Sequence, residues 1–182
     1  THCISSAASD VYKRQPYIKQ SDTLHAMFYF PDAFTEDEKR QNFEFYEPLT
    51  VHESSLSPSV HAILAADLEM SDKAVEMYER AARLDLDNYN NDTEDGLHIT
   101  AMTGSWLAIV QGFAGMRVRD GQLHLKPFLP KKWDKYSFRL VFRGHVLEVS
   151  VDQTGANVQL ISGDPLTINL SGEEVTLSKS DK

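Results

Sequence analysis

Cysteine is almost absent from this chain of 182 residues, in which Cys3 is the only one. A lone cysteine cannot close a disulfide within the chain, and such usage favours a reducing, cytoplasmic setting. Cys3 lies in a small, polar stretch without periodicity, residues 1–15, which we interpret as a non-native leader, so we assign it no catalytic role. The chain also opens on Thr1 rather than on methionine, and we expect it to be a fragment of a longer protein.

An excess of basic charge is also missing, since the formal net charge is −9. A nucleic-acid surface would need a basic stripe, so we predict no nucleic-acid partner. We expect no membrane span either, because the most apolar stretch, 97–116, is interrupted by Gly104, Gln111 and Gly112. The N-terminus lacks the basic start and apolar core of a secretory signal. The remaining composition, 41% hydrophobic and 25% charged, is that of an ordinary globular protein.

The first part of the chain has apolar residues at helical spacing and several helix-start signals. Thr35 and Glu38 have the spacing of a capping box. Ser57 followed by Pro58 predicts an N-cap and the first position of a second helix. Ser71 predicts the cap of a third helix.

The stretch 97–116 is apolar nearly all round, which predicts a central buried helix. Its small residues, among them Ala101, Gly104 and Ala108, would let another helix approach closely. We therefore assign residues 16–116 to antiparallel helix pairs around this helix.

After Met116 the apolar period changes from helical spacing to two. Asp120-Gly121 and Arg143-Gly144 have the composition of hairpin turns. Aromatic residues alternate with polar ones between these turns and form one apolar face: Tyr136, Phe138 and Phe142. Residues 117–182 thus predict a small antiparallel β-sandwich, and the fold class is α + β in two units.

The sequence HESSLSP at 52–58 is the strongest candidate for a binding site. It precedes a predicted helix, where unpaired N–H groups and the positive end of the helix dipole favour an anion such as phosphate. The hydroxyls of Ser54 and Ser55 could add donors to the same anion. A capped helix with polar loop residues is the structural alternative.

We predict no metal site. His25, His52 and His61 are irregularly spaced, and no cluster of carboxylates accompanies them in the sequence.

Several short motifs occur in one order and carry a family resemblance. They are KQSD at 19–22, FYEP at 45–48, HESSLS at 52–57, DGLH at 95–98, GFAGM at 112–116, LKP at 125–127 and LP at 129–130. Over residues 17–178 the chain resembles the C-terminal part of family 65 glycoside hydrolases, the group of maltose, kojibiose and trehalose phosphorylases.

The resemblance implies that residues 16–116 are the closing helices of an (α/α)6 barrel and that a β-domain follows. The family's general acid is a glutamate in the middle of the barrel, and its motif has no counterpart here, so no catalytic residue is expected in this chain. The implied reaction is inverting cleavage of an α-glucosyl disaccharide, maltose-like, by inorganic phosphate, giving β-glucose 1-phosphate. The implied partners are the disaccharide, phosphate, the missing N-terminal part of the enzyme and, in a possible homodimer, a second copy. Phosphate would be a co-substrate, and no organic cofactor or metal is implied.

The resemblance also assigns site residues. It implies phosphate binding by Ser54, Ser55, His98 and the small residues near Gly104. It implies that Lys19 and Gln20 bind the non-reducing glucose, where an ammonium and an amide can grip sugar hydroxyls. The structural alternatives are a His98 that caps or packs beside the helix, and a solvated Lys19–Gln20 pair before a helix.

Two other functions stay open. A hydrolase of the same family, such as a trehalase or another α-glucosidase, would use water, and a carboxylate or larger group would be expected to crowd the anion site. A non-catalytic carbohydrate-binding fragment would show exposed aromatic residues in a flat row on its sheet. The paired Ser54 and Ser55 favour phosphate as the nucleophile, because a phosphate oxygen needs donors around it rather than a second carboxylate.

Overall fold

The computed structural model describes residues 17–179 of the chain. The leader expected at 1–15 lies outside the described residues. Within the described part, no helix has the length and apolar character needed to cross a membrane.

Helices occupy the first part of the described chain. The α-helices are α1 (Asp22–Tyr29), α2 (Glu36–Tyr46), α3 (Ser57–Asp67), α4 (Ser71–Ala82) and α5 (Ile99–Leu107). Single 3-10 turns lie at Pro31–Ala33, Glu47–Leu49 and Thr93–Asp95, and a π-helical turn at Ala108–Phe113 continues α5.

The helix starts confirm one predicted cap and correct two others. The capping box is present at α2, where the Glu38 N–H donates to Thr35 Oγ1 and Glu38 Oε2 accepts from the Thr35 N–H. Ser57 is instead the first residue of α3, and the residue before it makes no side-chain cap. Ser71 is likewise the first residue of α4. The Ser57 prediction is wrong because its hydroxyl has another partner, the ring of His52.

The central buried helix is α3 and not the stretch 97–116. All side chains from Ser57 to Ala66 are buried, because alanines let neighbouring elements pack on every side of this helix. The first half of 97–116 was predicted wrongly as buried: Ile99 is 65% exposed and Trp106 is 49% exposed. One side of α5 is buried through Ala101 and Gly104, and the π-helical end enters the core through Val110 and Phe113.

Seven strands follow within the described residues. They are β1 (Arg117–Arg119), β2 (Gln122–Leu125), β3 (Lys135–Phe142), β4 (His145–Asp152), β5 (Gly155–Ser162), β6 (Leu166–Leu170) and β7 (Glu173–Leu177). One sheet has the order β1-β2-β6-β7 and the other the order β3-β4-β5. All pairs are antiparallel except β2–β6, so the first sheet is mixed rather than antiparallel as predicted.

The two sheets enclose an apolar core. Tight hairpins join β1 to β2 at Asp120-Gly121 and β3 to β4 at Arg143-Gly144, and all four turn residues have positive φ, as type I′ turns require. The alternating side chains of β3 to β5 then point at those of β2, β6 and β7. The core contains Leu123, Leu125, Leu140, Leu147, Val149, Val151, Val158, Leu160, Ile168 and Leu177, with the predicted aromatic face of β3 packed against it.

Aromatic rings and hydrogen bonds join the two parts. The Tyr136 hydroxyl of β3 donates to the Phe113 carbonyl at 2.8 Å and to the Phe128 carbonyl at 3.1 Å. Burial raises the pKa of this phenol, so it stays a neutral donor. Trp133 lies between these residues, with its ring centroid 4.7 Å from that of Phe113. The site-bearing helices are therefore held against the sheets by direct contacts.

Candidate functional site

The loop before α3 is bent around His52. His52 has a φ of 55°, a conformation uncommon for residues other than glycine, and is only 5% exposed. Its Nδ1 lies 3.0 Å from Ser57 Oγ, so the ring holds the first residue of α3. This bond fixes how the loop enters the helix.

The paired serines lie in this loop. The Ser57 N–H donates to the Ser54 carbonyl at 3.2 Å, and the Leu56 N–H approaches Ser54 Oγ at 3.4 Å. Ser54 and Ser55 are both half-buried. The two hydroxyls therefore belong to a tight turn directly before α3, next to the positive end of that helix.

Lys19 and Gln20 lie close to the same loop in the fold. Ile18 pairs in parallel with Thr50: its N–H donates to the Leu49 carbonyl, and its carbonyl accepts from the Val51 N–H, both at 2.9 Å. Lys19 and Gln20 thus leave this pairing beside the segment that leads to Ser54. Lys19 is exposed, and the Gln20 amide reaches Asp22 Oδ1 at 3.4 Å.

Gly104 lies in the contact between α5 and α3. A Cβ added to Gly104 would lie 2.6 Å from Ser59 Cβ, so only glycine allows this approach of the helices. Further along the same segment, Gly112 packs against Ile63 and Ala66. This contact explains glycine at 104 by packing, and a contact between Gly104 and phosphate stays a prediction.

The order of these contacts defines the relative direction of the helices. Early residues of α3 meet α5, and later residues of α3 meet the π-helical turn, so the two segments run in parallel. Their N-terminal ends therefore lie at the same end of the molecule. The turn with Ser54 and Ser55 precedes one of them, and His98 precedes the other.

His98 lies between two carboxylates. Its Nδ1 donates to Asp85 Oδ1 at 2.6 Å, and its backbone N–H donates to Asp85 Oδ2 at 2.9 Å. Its Nε2 lies 3.4 Å from Asp92 Oδ2. The hydrogen bond to Asp85, with the nearby charge of Asp92, raises the pKa of His98, and the two bonds from His98 lower the pKa of Asp85. The ring is thereby favoured as an imidazolium, which is a donor at both nitrogens.

The sequence did not identify Asp85 and Asp92 as partners of His98. They lie in the irregular segment that joins α4 to α5, where no periodicity relates a residue to its neighbours in space. No sequence signal connects positions 85 and 98, because the contact depends on how this segment folds back.

A second cluster of ionisable groups, largely buried, includes His52 of the loop before α3. One potential metal-ligand atom from each of Glu47, His52 and His61 lies within 4.8 Å of the other two. Linear spacing did not anticipate this proximity. Lys73 of α4 donates to Glu47 Oε1 at 3.2 Å, and His52 Nε2 lies 3.9 Å from the same oxygen. These three side chains could hold a metal ion, and the Lys73 ammonium contacts the same carboxylate.

Burial sets the protonation state of His61 in this cluster, and polar contacts set that of Glu47. Desolvation, together with the charge of His52, lowers the pKa of His61 to about 3, so its ring is neutral near pH 7. Neither ring nitrogen of His61 has a hydrogen-bond partner among the described residues. The interactions with His52 and Lys73 lower the pKa of Glu47, which is therefore ionised. The cluster thus contains an ion pair between Glu47 and Lys73, and it includes His52, the residue around which the loop bends.

Two family models match the chain in succession. Residues 1–107 match the model described as "Glycosyl hydrolase family 65 central catalytic domain". Residues 116–177 match the model described as "Glycosyl hydrolase family 65, C-terminal domain".

Similar proteins include several phosphorylases. The chain is 59% identical over 168 residues to the maltose phosphorylase of Bacillus subtilis (strain 168), an alignment that covers 92% of the chain and 22% of that protein. It is 44% identical to the alpha,alpha-trehalose phosphorylase of Geobacillus stearothermophilus, again over 92% of the chain and 22% of the relative. The chain thus spans about a fifth of the length of the curated relatives it matches.

A solved structure has the same fold. A candidate kojibiose phosphorylase from the human microbiome superposes with a TM-score of 0.84 at 38% sequence identity. The superposition covers 90% of this chain and 24% of that one.

Proposed function

This chain belongs to glycosyl hydrolase family 65, and from that premise we propose that it is the C-terminal part of an inverting glycoside phosphorylase. The proposed parent enzyme, meaning the full-length protein that contains this chain, cleaves an α-glucosyl disaccharide with inorganic phosphate. In this proposal residues 16–116 are the closing helices of its (α/α)6 barrel, and the strand-rich part packs against them. The observation that carries the proposal is the parallel arrangement of α3 and α5, with Ser54, Ser55 and His98 at the same end.

The proposed reaction is a single displacement. A phosphate oxygen attacks the anomeric carbon and forms the new C–O bond while the glycosidic C–O bond breaks on the opposite face. The departing oxygen takes a proton from a general acid, which we place in the part of the parent enzyme outside this chain. The products are β-glucose 1-phosphate and the second sugar.

This chain's contribution is to hold the nucleophile. Hydroxyl donors from Ser54 and Ser55 and a charged imidazole donor from His98 suit a phosphate dianion, because charge-assisted hydrogen bonds to its oxygens are strong. Lys19 and Gln20 leave the Ile18–Thr50 pairing next to this loop, which supports their proposed role toward the glucose ring. The proposed co-substrate is phosphate alone, without an organic cofactor or metal.

The test incubates the parent enzyme with maltose, kojibiose or trehalose, with and without phosphate, and measures the glucose 1-phosphate that forms. Ser54→Ala and Ser55→Ala should each raise KM for phosphate about tenfold, since each removes one hydrogen bond to a charged group. Lys19→Ala should raise KM for the disaccharide instead. Ser137→Ala, an exposed serine of β3, is the matched control and should change neither constant.

Hydrolysis is the second candidate function, and the carboxylates at His98 are the observation that favours it. Asp92 lies at the nitrogen that phosphate would need, as a water-activating carboxylate would in a hydrolase. Release of free glucose that persists in phosphate-free buffer at an unchanged rate would establish hydrolysis and reject the phosphorylase proposal. The carbohydrate-binding alternative has no such support, because the aromatic residues of β3 pack into the core.

The chain by itself should turn over none of these disaccharides, since the proposed general acid lies outside it. Measurable phosphorolysis by the purified chain would contradict this placement.

A further inference from the structure

We propose that Asp85 is the positioning residue of the phosphate site: it holds His98 so that Nε2 is the ring nitrogen presented to the anion. This inference rests on the proposed function and adds to it a residue that acts on phosphate only through His98.

The geometry of Asp85 is that of a two-point clamp. One carboxylate oxygen accepts from the His98 ring at Nδ1, and the other accepts from the His98 backbone N–H. The two bonds, 2.6 Å and 2.9 Å long, restrict both the position and the rotation of the imidazole. With Nδ1 held in this way, Nε2 is the only ring atom that can donate to another group.

The surroundings of Nε2 indicate that an anion binds there. The group that faces Nε2 is itself an oxyanion, the carboxylate of Asp92 at 3.4 Å. This contact is longer than the one at Nδ1, and Asp92 lies in the irregular segment between α4 and α5 rather than in a helix. Asp92 therefore occupies the phosphate position as an internal competitor and leaves when phosphate binds.

Positioning by Asp85 and competition by Asp92 predict opposite effects on phosphate affinity. In the parent enzyme, Asp85→Asn should raise KM for phosphate about tenfold with a smaller change in KM for the disaccharide, because the clamp on the donor is lost. Asp92→Asn should lower KM for phosphate, about threefold, because an amide competes less well for an imidazolium than a carboxylate does.

The matched control is Asp87→Asn. Asp87 lies two residues from Asp85 in the same segment and pairs with Arg83 through two bonds of 2.6 Å and 2.7 Å. This variant removes the same charge from the same segment without touching His98, and it should leave KM for phosphate within about twofold of the original.

A pH profile separates positioning from a merely structural role. Asp85 and Asp92 are the charged groups that raise the pKa of His98. KM for phosphate should therefore rise at a lower pH in Asp85→Asn than in the original enzyme, while Asp87→Asn keeps the original profile.

The outcomes distinguish the inference from the function on which it rests. If Asp85→Asn matches Asp87→Asn in KM for phosphate and in pH profile while Ser54→Ala still impairs phosphate use, the positioning role of Asp85 is rejected and the proposed function survives. If Asp85→Asn does not fold, Asp92→Asn decides: an unchanged or raised KM for phosphate overturns the inference. If the parent enzyme consumes no phosphate, the proposed function itself fails.

Discussion

The helical part of this chain and its strand-rich part bury different kinds of side chain. Among the described residues, every buried polar or ionisable side chain lies in the helical part: Ser21, Thr50, His52, Ser57, Ser59 and His61. The core between the sheets consists of Leu, Val and Ile side chains. A buried polar group lowers stability unless it is paired, so its presence needs a reason besides folding. Here Thr50, His52 and Ser57 flank the turn that contains Ser54 and Ser55.

The two parts are therefore stabilised in different ways. The strand-rich part gains its stability from apolar burial. This contribution does not depend on pH, and a cavity in the core reduces it. The helical part gives up some stability to hold a loop in a strained shape, as the positive φ of His52 indicates. Variants in the two parts should therefore differ in kind as well as in size.

The largest effect is expected in the apolar core. Leu147 of β4 is fully buried between the sheets, and Leu147→Ala should lower the free energy of unfolding by about 3 kcal/mol at neutral and mildly acidic pH alike. Urea denaturation followed by circular dichroism measures this loss. Val141→Ala, at an exposed position of β3, is the control and should cost less than about 0.5 kcal/mol. A cost for Leu147→Ala that grows sharply with falling pH would contradict the proposed difference between the two cores.

The second effect tests the polar core through pH. The pKa of His61 is about 3 in the folded chain and near 6.5 in the unfolded chain, so below pH 6.5 the unfolded chain binds a proton that the folded chain excludes. Stability should consequently fall as the pH is lowered, and His61 should contribute roughly 2 to 3 kcal/mol of that loss between about pH 7.5 and about pH 4.5. His61→Gln cannot titrate there.

Subtracting the two unfolding curves isolates this contribution from other acidic groups such as Glu47. The slopes of unfolding free energy against pH should be equal in the original chain and in His61→Gln above about pH 7.5, because His61 is then unprotonated in both the folded and the unfolded chain. Equal slopes in the two proteins at all pH values would show that His61 is solvated in the folded chain.

The third effect concerns the contact that aligns the two helix starts. Gly104→Ala introduces a methyl group that would lie 2.6 Å from Ser59 Cβ, and the forced separation of α3 and α5 should cost about 2 kcal/mol. Adding Ser59→Gly removes the opposing side chain and should recover part of this loss in urea denaturation. Thr103→Ala, exposed on the same helix, serves as the control. Additive costs of the two changes would show that the residues do not meet.

Much of the fold could be predicted from local patterns. Alternation in β3 to β5 and turn residues that accept positive φ are properties of neighbouring residues, and they locate the hairpins correctly. The parallel β2–β6 pairing joins strands that are far apart in sequence, so no local pattern indicates it. Trp106 and Ile99 were misjudged as buried because hydropathy records the character of a side chain and not what covers it.

The candidate site was predictable in a similar, partial way. Ser54 and Ser55 could be located because a helix start has its own sequence signal. The clamp on His98 and the cluster around Glu47 could not, because each depends on side chains that tertiary folding brings together across an irregular segment or between helices. Local signals thus predicted the candidate serines, whereas the contacts that orient His98 and His52 had no such signal.

The smallest effect tests whether the two parts are coupled. Tyr136→Phe removes the hydroxyl that donates to the Phe113 carbonyl of the helical part and to the Phe128 carbonyl of the connecting segment. The loss should be about 1 kcal/mol, since two carbonyls lose a shared donor and retain their other contacts. Tyr29→Phe, at a tyrosine that is 68% exposed, is the control and should change the unfolding free energy little. If the parts fold as one cooperative unit, Tyr136→Phe shifts the circular dichroism and tryptophan fluorescence transitions in urea by the same amount. If the contact only tethers two independent units, the variant separates the two transitions, because Trp106 and Trp133 both report on the helical side of the junction.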